Sequence, residues 1–220
     1  MFERNHFELP ADSVSLTCMM AMRQKRLGLV CAVAVLLLMG ELRWAFAGEP
    51  TDAIRSAIDR GVDVIKDVNL RDRKQRVETI ERLRPIVYPV FDFREMAMRS
   101  LGAQWRVIDG QQQSEFVAVF TKLLGKTYAD QIALYNGQQV AYKSEKIDGD
   151  FAEVDTQLIA KDRQRYSVLY RLHKSEGKWR IYDVVVEDIS IVRNYREQFR
   201  TALNKNSFST VLSNMKEKAN

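Results

Sequence analysis

The fold of this chain is decided by residues 140–186, VAYKSEKIDGDFAEVDTQLIAKDRQRYSVLYRLHKSEGKWRIYDVVV. Apolar and polar residues alternate through much of this stretch, which is the period of strands with one covered face. We predict four strands, listed in chain order as Val140–Ile147, Phe151–Ala160, Arg165–His173 and Trp179–Val186. A parallel pair would need a crossover of about a dozen residues, and the intervening segments are much shorter. The four strands are therefore expected to form an antiparallel meander.

Turn residues and side-chain alternation support the meander. The predicted turns are Asp148-Gly149-Asp150, Asp162-Arg163 and Ser175-Glu176-Gly177. In the second strand, residues 152, 154, 156 and 158 are apolar or small and alternate with polar ones, so one face is wet and the other covered. The fourth strand is apolar in both phases over residues 181–186, which predicts cover on both faces near its end.

Helical periodicity flanks the meander on both sides. Before it, apolar residues at helical spacing predict helices over residues 51–65 and 77–87, a short one at 96–101 and a long one through 116–135. After it, two helices are predicted over residues 192–203 and 208–215. We therefore predict an α+β single domain: a four-stranded antiparallel meander sheet covered by N- and C-terminal helices.

The first 47 residues have the pattern of a secretory signal peptide. A basic cluster at residues 23–26 precedes the apolar run Leu27–Met39, and the small-x-small triplet Ala45–Ala47 follows. The apolar run is shorter than the roughly 20 residues of a membrane-spanning helix. We predict a signal peptide at 1–47, in which 1–21 precede a possible true start, and a domain at 48–220. The alternatives are a retained anchor and a lipidated Cys31.

Charge beyond residue 47 is mildly basic. Five of the 34 Lys and Arg residues and four of the 29 Asp and Glu residues fall in the predicted leader, leaving 29 basic and 25 acidic side chains. An exported protein rarely meets nucleic acid, so an anionic membrane surface, an acidic partner or a plain solvated surface accounts better for the surplus. The basic run at residues 71–76 is either a solvated helix face or a contact for lipid headgroups or an acidic docking surface.

Residue types limit the available chemistry. Both cysteines, Cys18 and Cys31, lie in the predicted leader, and His173 is the single histidine after it. Thiol catalysis and a His/Cys metal site are thereby excluded, and we expect no metal and no cofactor, whereas chemistry that uses carboxylates alone stays open. His173 is predicted to be a surface residue, and Asp183 to accept a structural hydrogen bond. Adjacent residues on an extended chain point in opposite directions, so Glu187 and its neighbour do not form a carboxylate pair by themselves.

Several segments in order resemble the MlaC-like family of periplasmic phospholipid-binding proteins, also called toluene-tolerance auxiliary proteins. The resemblance covers residues 91–218. One departure is Asp188, where the family often has glycine before the Ile-Ser step. The segments that carry the resemblance are Phe91-Asp92-Phe93, Met96-Ala97, Leu101-Gly102-Ala103-Gln104-Trp105, Phe116 to Tyr128, Gly177-Lys178-Trp179-Arg180-Ile181-Tyr182-Asp183-Val184 and Ile189 to Phe199.

The resemblance implies a soluble periplasmic carrier and not an enzyme. Its cargo would be phospholipid, with acyl chains held in an apolar cavity and the headgroup near solvent. Its partners would be an outer-membrane lipoprotein–porin complex and an inner-membrane MCE-domain protein of an ABC transporter, a system linked to outer-membrane lipid asymmetry. Two alternatives remain: a small periplasmic hydrolase or isomerase that uses carboxylates such as Asp183 and Glu187, and an adaptor with a filled core that binds only proteins.

Twelve residues are predicted to contact lipid, on the hypothesis that the short and long helices face the sheet across the cavity. Those on the helical side are Phe93, Met96, Leu101, Trp105, Phe120, Leu124 and Tyr128. Those on the strands are Val154, Leu158, Val168, Tyr170 and Val184.

Overall fold

The computed structural model describes residues 49–132 and 135–219, so the predicted signal peptide and its boundary lie outside the described residues. The helices are α1 (Glu49–Ile65), α2 (Arg73–Val87), α3 (Phe93–Leu101), α4 (Gly110–Ile132), α5 (Ile191–Leu203) and α6 (Phe208–Ala219). Short 3-10 turns follow α2 and α3, at Tyr88–Val90 and Gly102–Arg106. The strands are β1 (Gln139–Asp148), β2 (Phe151–Ile159), β3 (Arg165–Ser175), β4 (Lys178–Val186) and β5 (Ile189–Ser190).

The strands form one antiparallel sheet in chain order, which confirms the predicted α+β class and meander. The strand number is corrected from four to five, because Ile189 and Ser190 pair with the end of β4. The turn between β4 and β5 is Glu187-Asp188, with φ values of 48° and 65°. A two-residue hairpin of this hand favours glycine, which gives a physical reason for the glycine in the related family and leaves Asp188 as a tolerated substitute.

The strand register places one continuous apolar surface on a single face of the sheet. Directly opposed residues share a face, and Val154 pairs with Tyr170, which in turn pairs with Val184. Thr156 lies between the apolar residues of this face, and its hydroxyl donates to the Val168 carbonyl at 2.8 Å. All five strand positions predicted to contact lipid therefore lie on the same face, which we call the covered face.

Strand β1 forms one edge of the sheet. A bulge interrupts its register between Tyr142 and Ser144, and Lys143 falls at the interruption. The next lysine along the strand, Lys146, is exposed.

Side-chain caps define the starts of several helices. Asp72 accepts a hydrogen bond from the Gln75 amide at 2.8 Å at the start of α2. Asp92 does the same for α3, and the Ser190 hydroxyl accepts from the Arg193 amide at the start of α5. These short polar residues satisfy amides that have no partner within the helix. Pro85 lies inside α2, which ends at Val87, the end that the apolar spacing predicts.

The buried apolar residues form two clusters. The helical cluster joins α3, α4, α5 and α6, and its members are Met96, Ala97, Leu101, Trp105, Ile108, Phe116, Val119, Phe120, Leu124, Val192, Tyr195, Phe199, Val211, Leu212 and Met215. The sheet cluster joins α1 to the covered face, and its members are Ile54, Val90, Ala152, Val154, Leu172, Trp179, Ile181 and Val184. The long helix α4 thus packs on α3 and α6.

Strand β4 is covered on both faces, as its sequence predicts. Val184 belongs to the sheet cluster on one face, and Asp183 is 3% exposed on the other. Asp183 accepts hydrogen bonds from the Ser190 hydroxyl at 2.7 Å and the Val192 amide at 3.1 Å, and pairs with Arg171 at 3.2 Å. The predicted structural role of Asp183 is confirmed.

His173 is less exposed than the sequence predicts. Its Nε2 lies 3.0 Å from the carboxylate of Asp92, and its ring meets the ring of Tyr182 edge-on. Both partners of the His173–Asp92 pair are more than four-fifths buried. This contact joins β3 to the start of α3, so the histidine is a structural residue and not a solvated one.

Candidate functional site

A large apolar groove lies between the sheet and the two N-terminal helices. Its volume is about 750 Å³, within the range of ligand-binding cavities. The lining residues come from α1, α2, the turn after α2 and four strands. They are Ile54, Ala57, Ile58, Gly61, Val62, Ile65, Leu83, Val87, Val90, Phe91, Tyr135, Gln138, Val140, Leu158, Tyr166, Tyr170 and Ile181.

Helix α1 forms one wall of the groove. Its apolar residues Ile54, Ile58, Val62 and Ile65 recur at three- and four-residue spacing, which places them on one side of the helix. Only Ile54 is fully buried, at 1% exposure, whereas the next two are half-buried. The apolar residues of α1 that follow Ile54 are therefore less completely covered than Ile54, which belongs to the sheet cluster.

Two small residues lie on the side of α1 that lines the groove. Ala57 and Gly61 both line the groove and occupy helical positions four residues apart. A Cβ atom placed on Gly61 would meet the Leu83 Cδ2 atom at 3.7 Å, which is ordinary contact and not a clash. The glycine is thus not required by close packing, and its absent side chain contributes open space.

The first turn of α1 is tied to the sheet at two points. The Thr51 amide donates to Glu145 of β1 at 2.8 Å, and the Thr51 hydroxyl donates to the same carboxylate oxygen. The indole of Trp179 on β4 donates to Glu49 at 3.1 Å. These bonds fix the first turn of α1 to the sheet.

The floor of the groove is the covered face of the sheet. Leu158 of β2 and Tyr166 of β3 are paired across the strands, and Tyr170 lies four residues further along the same face. Burial, with a smaller contribution from Tyr142, raises the pKa of Tyr170 to about 12. The phenol is thereby held neutral at ordinary pH, in surroundings that disfavour charge.

The lining contains no Asp, Glu, Lys, Arg or His among the residues that the structure describes. Its polar groups are three tyrosines and Gln138. A surface of this kind suits hydrocarbon, since each buried methylene contributes about 0.8 kcal/mol.

The twelve predicted lipid contacts separate into three groups. Leu158 and Tyr170 line the groove. Val154, Val168 and Val184 lie beside it on the covered face and pack within the sheet cluster. Those on the helical side lie away from it: Met96, Leu101, Trp105, Phe120 and Leu124 are buried in the helical cluster, Phe93 packs against that cluster, and Tyr128 is 39% exposed.

The helices opposite the sheet are therefore α1 and α2, and not the short and long helices of the hypothesis. Leu101 and Trp105 instead border a different cavity of about 700 Å³, which shares no lining residue with the groove. As lipid contacts, the helical-side residues stay predictions. The α1 and α2 residues were missed, although the stripe from Ile54 to Ile65 and its interruption by Ala57 and Gly61 are visible in the sequence.

The candidate catalytic carboxylates are both occupied by structural bonds. Asp183 receives three donors, as described above, and Glu187 accepts from the Ser167 amide across the hairpin. Neither residue lines the groove. Within residues 49–132 and 135–219, no group of three or more His, Cys, Asp or Glu side chains could hold a metal ion. No helix in the same ranges has the length and hydropathy to span a membrane.

Comparisons with known proteins agree with this architecture. The family model described as MlaC protein matches residues 55–217. The chain is 24% identical over 136 residues to the intermembrane phospholipid transport system binding protein MlaC of Haemophilus influenzae, covering 60% of this chain and 64% of that protein. It is 27% identical over 128 residues to the toluene tolerance protein ttg2D of Pseudomonas putida, covering 57% and 60%. The chain thus spans a little under two thirds of the length of these curated relatives.

A solved structure shares the fold. The phospholipid-binding protein from Ralstonia solanacearum, determined in complex with a phospholipid, superposes with a TM-score of 0.69 at 22% identity. The match covers 78% of this chain and 97% of that chain.

Proposed function

The chain belongs to the MlaC protein family, and from that premise we propose that it is a periplasmic carrier that binds the acyl chains of phospholipid in the apolar groove. It shuttles lipid between outer- and inner-membrane complexes of an Mla-type ABC transport system. Its transient partners are an MCE-domain protein at the inner membrane and a lipoprotein–porin complex at the outer membrane. The proposal needs no cofactor and no catalytic step.

The observation that carries this proposal is the uncharged groove of about 750 Å³ under α1. A protein-binding adaptor would close its apolar surfaces on one another, and a carboxylate enzyme would direct acidic groups into its cavity. This groove does neither among the described residues. The H. influenzae relative, named for phospholipid transport, and the structural neighbour solved with a phospholipid support the same cargo.

The physical reason for a carrier is the cost of exposing hydrocarbon. Releasing a two-tailed lipid with roughly 30 methylenes into water would cost on the order of 20 kcal/mol, so unassisted release is slow. Delivery then requires a partner that offers a competing apolar path or opens the groove. Displacement of helix α1 would open the groove, because α1 forms one of its walls. The bonds between the first turn of α1 and the strands would hold that end of the helix in place.

Native mass spectrometry of the protein as purified, followed by organic extraction, tests the proposal. We expect bound phospholipid in the purified protein, or uptake of phospholipid from vesicles after delipidation. Leu158→Asp places a charge on the groove floor and should abolish most loading while the fold persists, as checked by circular dichroism. The matched control is Val107→Asp, at a 75% exposed apolar residue outside the groove. Absence of lipid from the wild-type protein under both conditions would refute the carrier.

A further inference from the structure

A second, polar cavity of about 710 Å³ adjoins the end of the groove. Ile65 and Tyr135 line both spaces, so one cavity continues into the other. The lining of the second cavity includes three cationic side chains and no Asp or Glu among the described residues. It consists of Ile65, Lys66, Val68, Asn69, Leu70, Arg71, Tyr135, Asn136, Gly137 and Lys161.

Two of the cations come from the end of α1 and the loop after it. Lys66 pairs with Asp63 at 3.0 Å, with both side chains more than half exposed. A pair of this kind contributes little free energy and is readily exchanged for another anion. Arg71 forms no ion pair with any described carboxylate. It is also the one member of the basic run at residues 71–76 that lines this cavity.

The third cation, Lys161, is positioned by the segment before β1. Its ammonium donates to the side-chain oxygen of Asn136 at 3.2 Å. Its side chain also passes over Gly137, where an added Cβ would come within 3.2 Å of the Lys161 Cε atom. Gly137 has a φ of 75°, which favours glycine. The turn therefore both leaves room for the lysine and holds its charged end beside the cavity.

We propose that Lys66, Arg71 and Lys161 bind the phosphate of the lipid whose acyl chains occupy the groove. This inference rests on the proposed function. Charge is segregated between the two spaces: the groove has no charged lining residue, whereas the adjoining cavity has three cations. An amphiphile with two apolar tails and an anionic head matches that division. Arginine and lysine are the side chains best suited to phosphate oxygens.

The test is a competition between two lipids with identical acyl chains. Delipidated protein is mixed with equal amounts of phosphatidylglycerol and diacylglycerol in mild detergent, and native mass spectrometry measures the ratio bound. The two lipids differ in the phosphate-bearing headgroup. We expect the wild-type protein to prefer phosphatidylglycerol by about tenfold, and the triple variant Lys66→Gln, Arg71→Gln, Lys161→Gln to lose that preference while still binding diacylglycerol.

A matched control removes the same number of charges elsewhere. Arg73, Lys74 and Arg82 are exposed on α2 and line neither cavity. Their triple replacement by Gln should keep the wild-type preference, and loss of preference in this control would overturn the site in favour of a general charge effect. Equal binding of both lipids by the wild-type protein would also overturn the site while leaving the carrier intact. Binding of neither lipid would count against the carrier itself.

Inorganic phosphate distinguishes a lipid phosphate from a free one. Calorimetric titration of phosphate into the delipidated protein should show no tight binding. Titration into the protein loaded with phosphatidylglycerol should displace no lipid. Tight binding of inorganic phosphate without any preference for phosphatidylglycerol would overturn the assignment to a lipid headgroup. Circular dichroism and thermal melts of both triple variants establish that each remains folded, so that a lost preference reports on binding.

Discussion

The helical cluster and the groove are both built from apolar helix faces, yet one is closed and the other open. In the helical cluster, the rings of Phe116 and Phe120 are fully buried and stack with centroids 5.8 Å apart. On α1, the corresponding inner face contains Ala57 and Gly61, and a cavity of about 750 Å³ lies beneath it. Both faces are apolar, so hydrophobicity alone does not distinguish the filled cluster from the groove.

The filled helical cluster and the open groove have different consequences for the stability of the fold. The filled cluster gains dispersion contacts from every ring, and deleting one leaves a void. The groove leaves apolar surface uncovered, so a bound ligand would supply the contacts that the protein lacks. Substitutions in the first region should therefore change the free energy of unfolding, and substitutions in the second should chiefly change binding.

Phe120→Ala should give the largest loss of stability, about 4 kcal/mol, because Phe120 is fully buried against Phe116, Tyr195 and Phe199. Urea denaturation measures the loss. Lipid loading per folded molecule should remain at the wild-type level. The comparison would break if this variant kept its stability but lost its lipid. Val107→Ala, at an exposed position, serves as the control and should change stability little.

Asp183→Ala should cost about 3 kcal/mol, since it leaves a partly buried Arg171 and the donors at the start of α5 without their acceptor. The carboxylate joins the sheet to the helical cluster, so the variant tests whether the two regions unfold together. Glu153→Ala is the matched control because it removes the other, more exposed carboxylate partner of the same arginine. It should cost below about 1 kcal/mol by the same denaturation measurement.

Tyr170 predicts a loss of stability at alkaline pH. Its pKa is 10.0 in the unfolded chain and about 12 in the fold, because burial disfavours the phenolate. The stabilising contribution is fully present below pH 10 and is lost as the pH rises through the folded pKa, by at most roughly 3 kcal/mol. Stability measured across this window should fall less steeply in Tyr170→Phe. The exposed Tyr166 offers the control, and Tyr166→Phe should keep the wild-type slope.

Two substitutions at Gly61 separate stability from binding at one position. Gly61→Ala should raise stability by about 0.5–1 kcal/mol through helix propensity, with lipid loading retained, because the added Cβ meets only ordinary contact. Gly61→Phe should fill the groove and reduce loading. Thermal melts and native mass spectrometry provide the readouts. Equal loading in the two variants would show that the space beside Gly61 is not used by the ligand.

The sequence predicted the sheet well because short connections and two-residue alternation constrain it strongly. The antiparallel order and the shared face of Val154, Tyr170 and Val184 both follow from these features. The two-residue strand β5 escaped notice, since its turn, Glu187-Asp188, has no glycine to mark the left-handed conformation.

The helix partners were harder to predict. A 3.6-residue stripe shows that α4 buries one face, but apolar attraction has no direction and does not specify which neighbour covers that face. The long stripe from Phe116 to Tyr128 was therefore assigned to the sheet, whereas the C-terminal helices cover it. The groove is lined instead by the face of α1 that carries Ala57 and Gly61, whose side chains are smaller than those of the α4 stripe.

The interruption in β1 has a further consequence for association between copies of this chain. An uninterrupted outer strand invites a second molecule to add its own strand, and repeated addition leads to fibrous aggregates. The bulge at Tyr142 and Ser144 breaks the regular spacing of peptide groups, and the neighbouring lysines, Lys143 and Lys146, make such growth unfavourable. The same chain thus combines an apolar groove with a sheet edge that is a poor template for adding a strand from another copy.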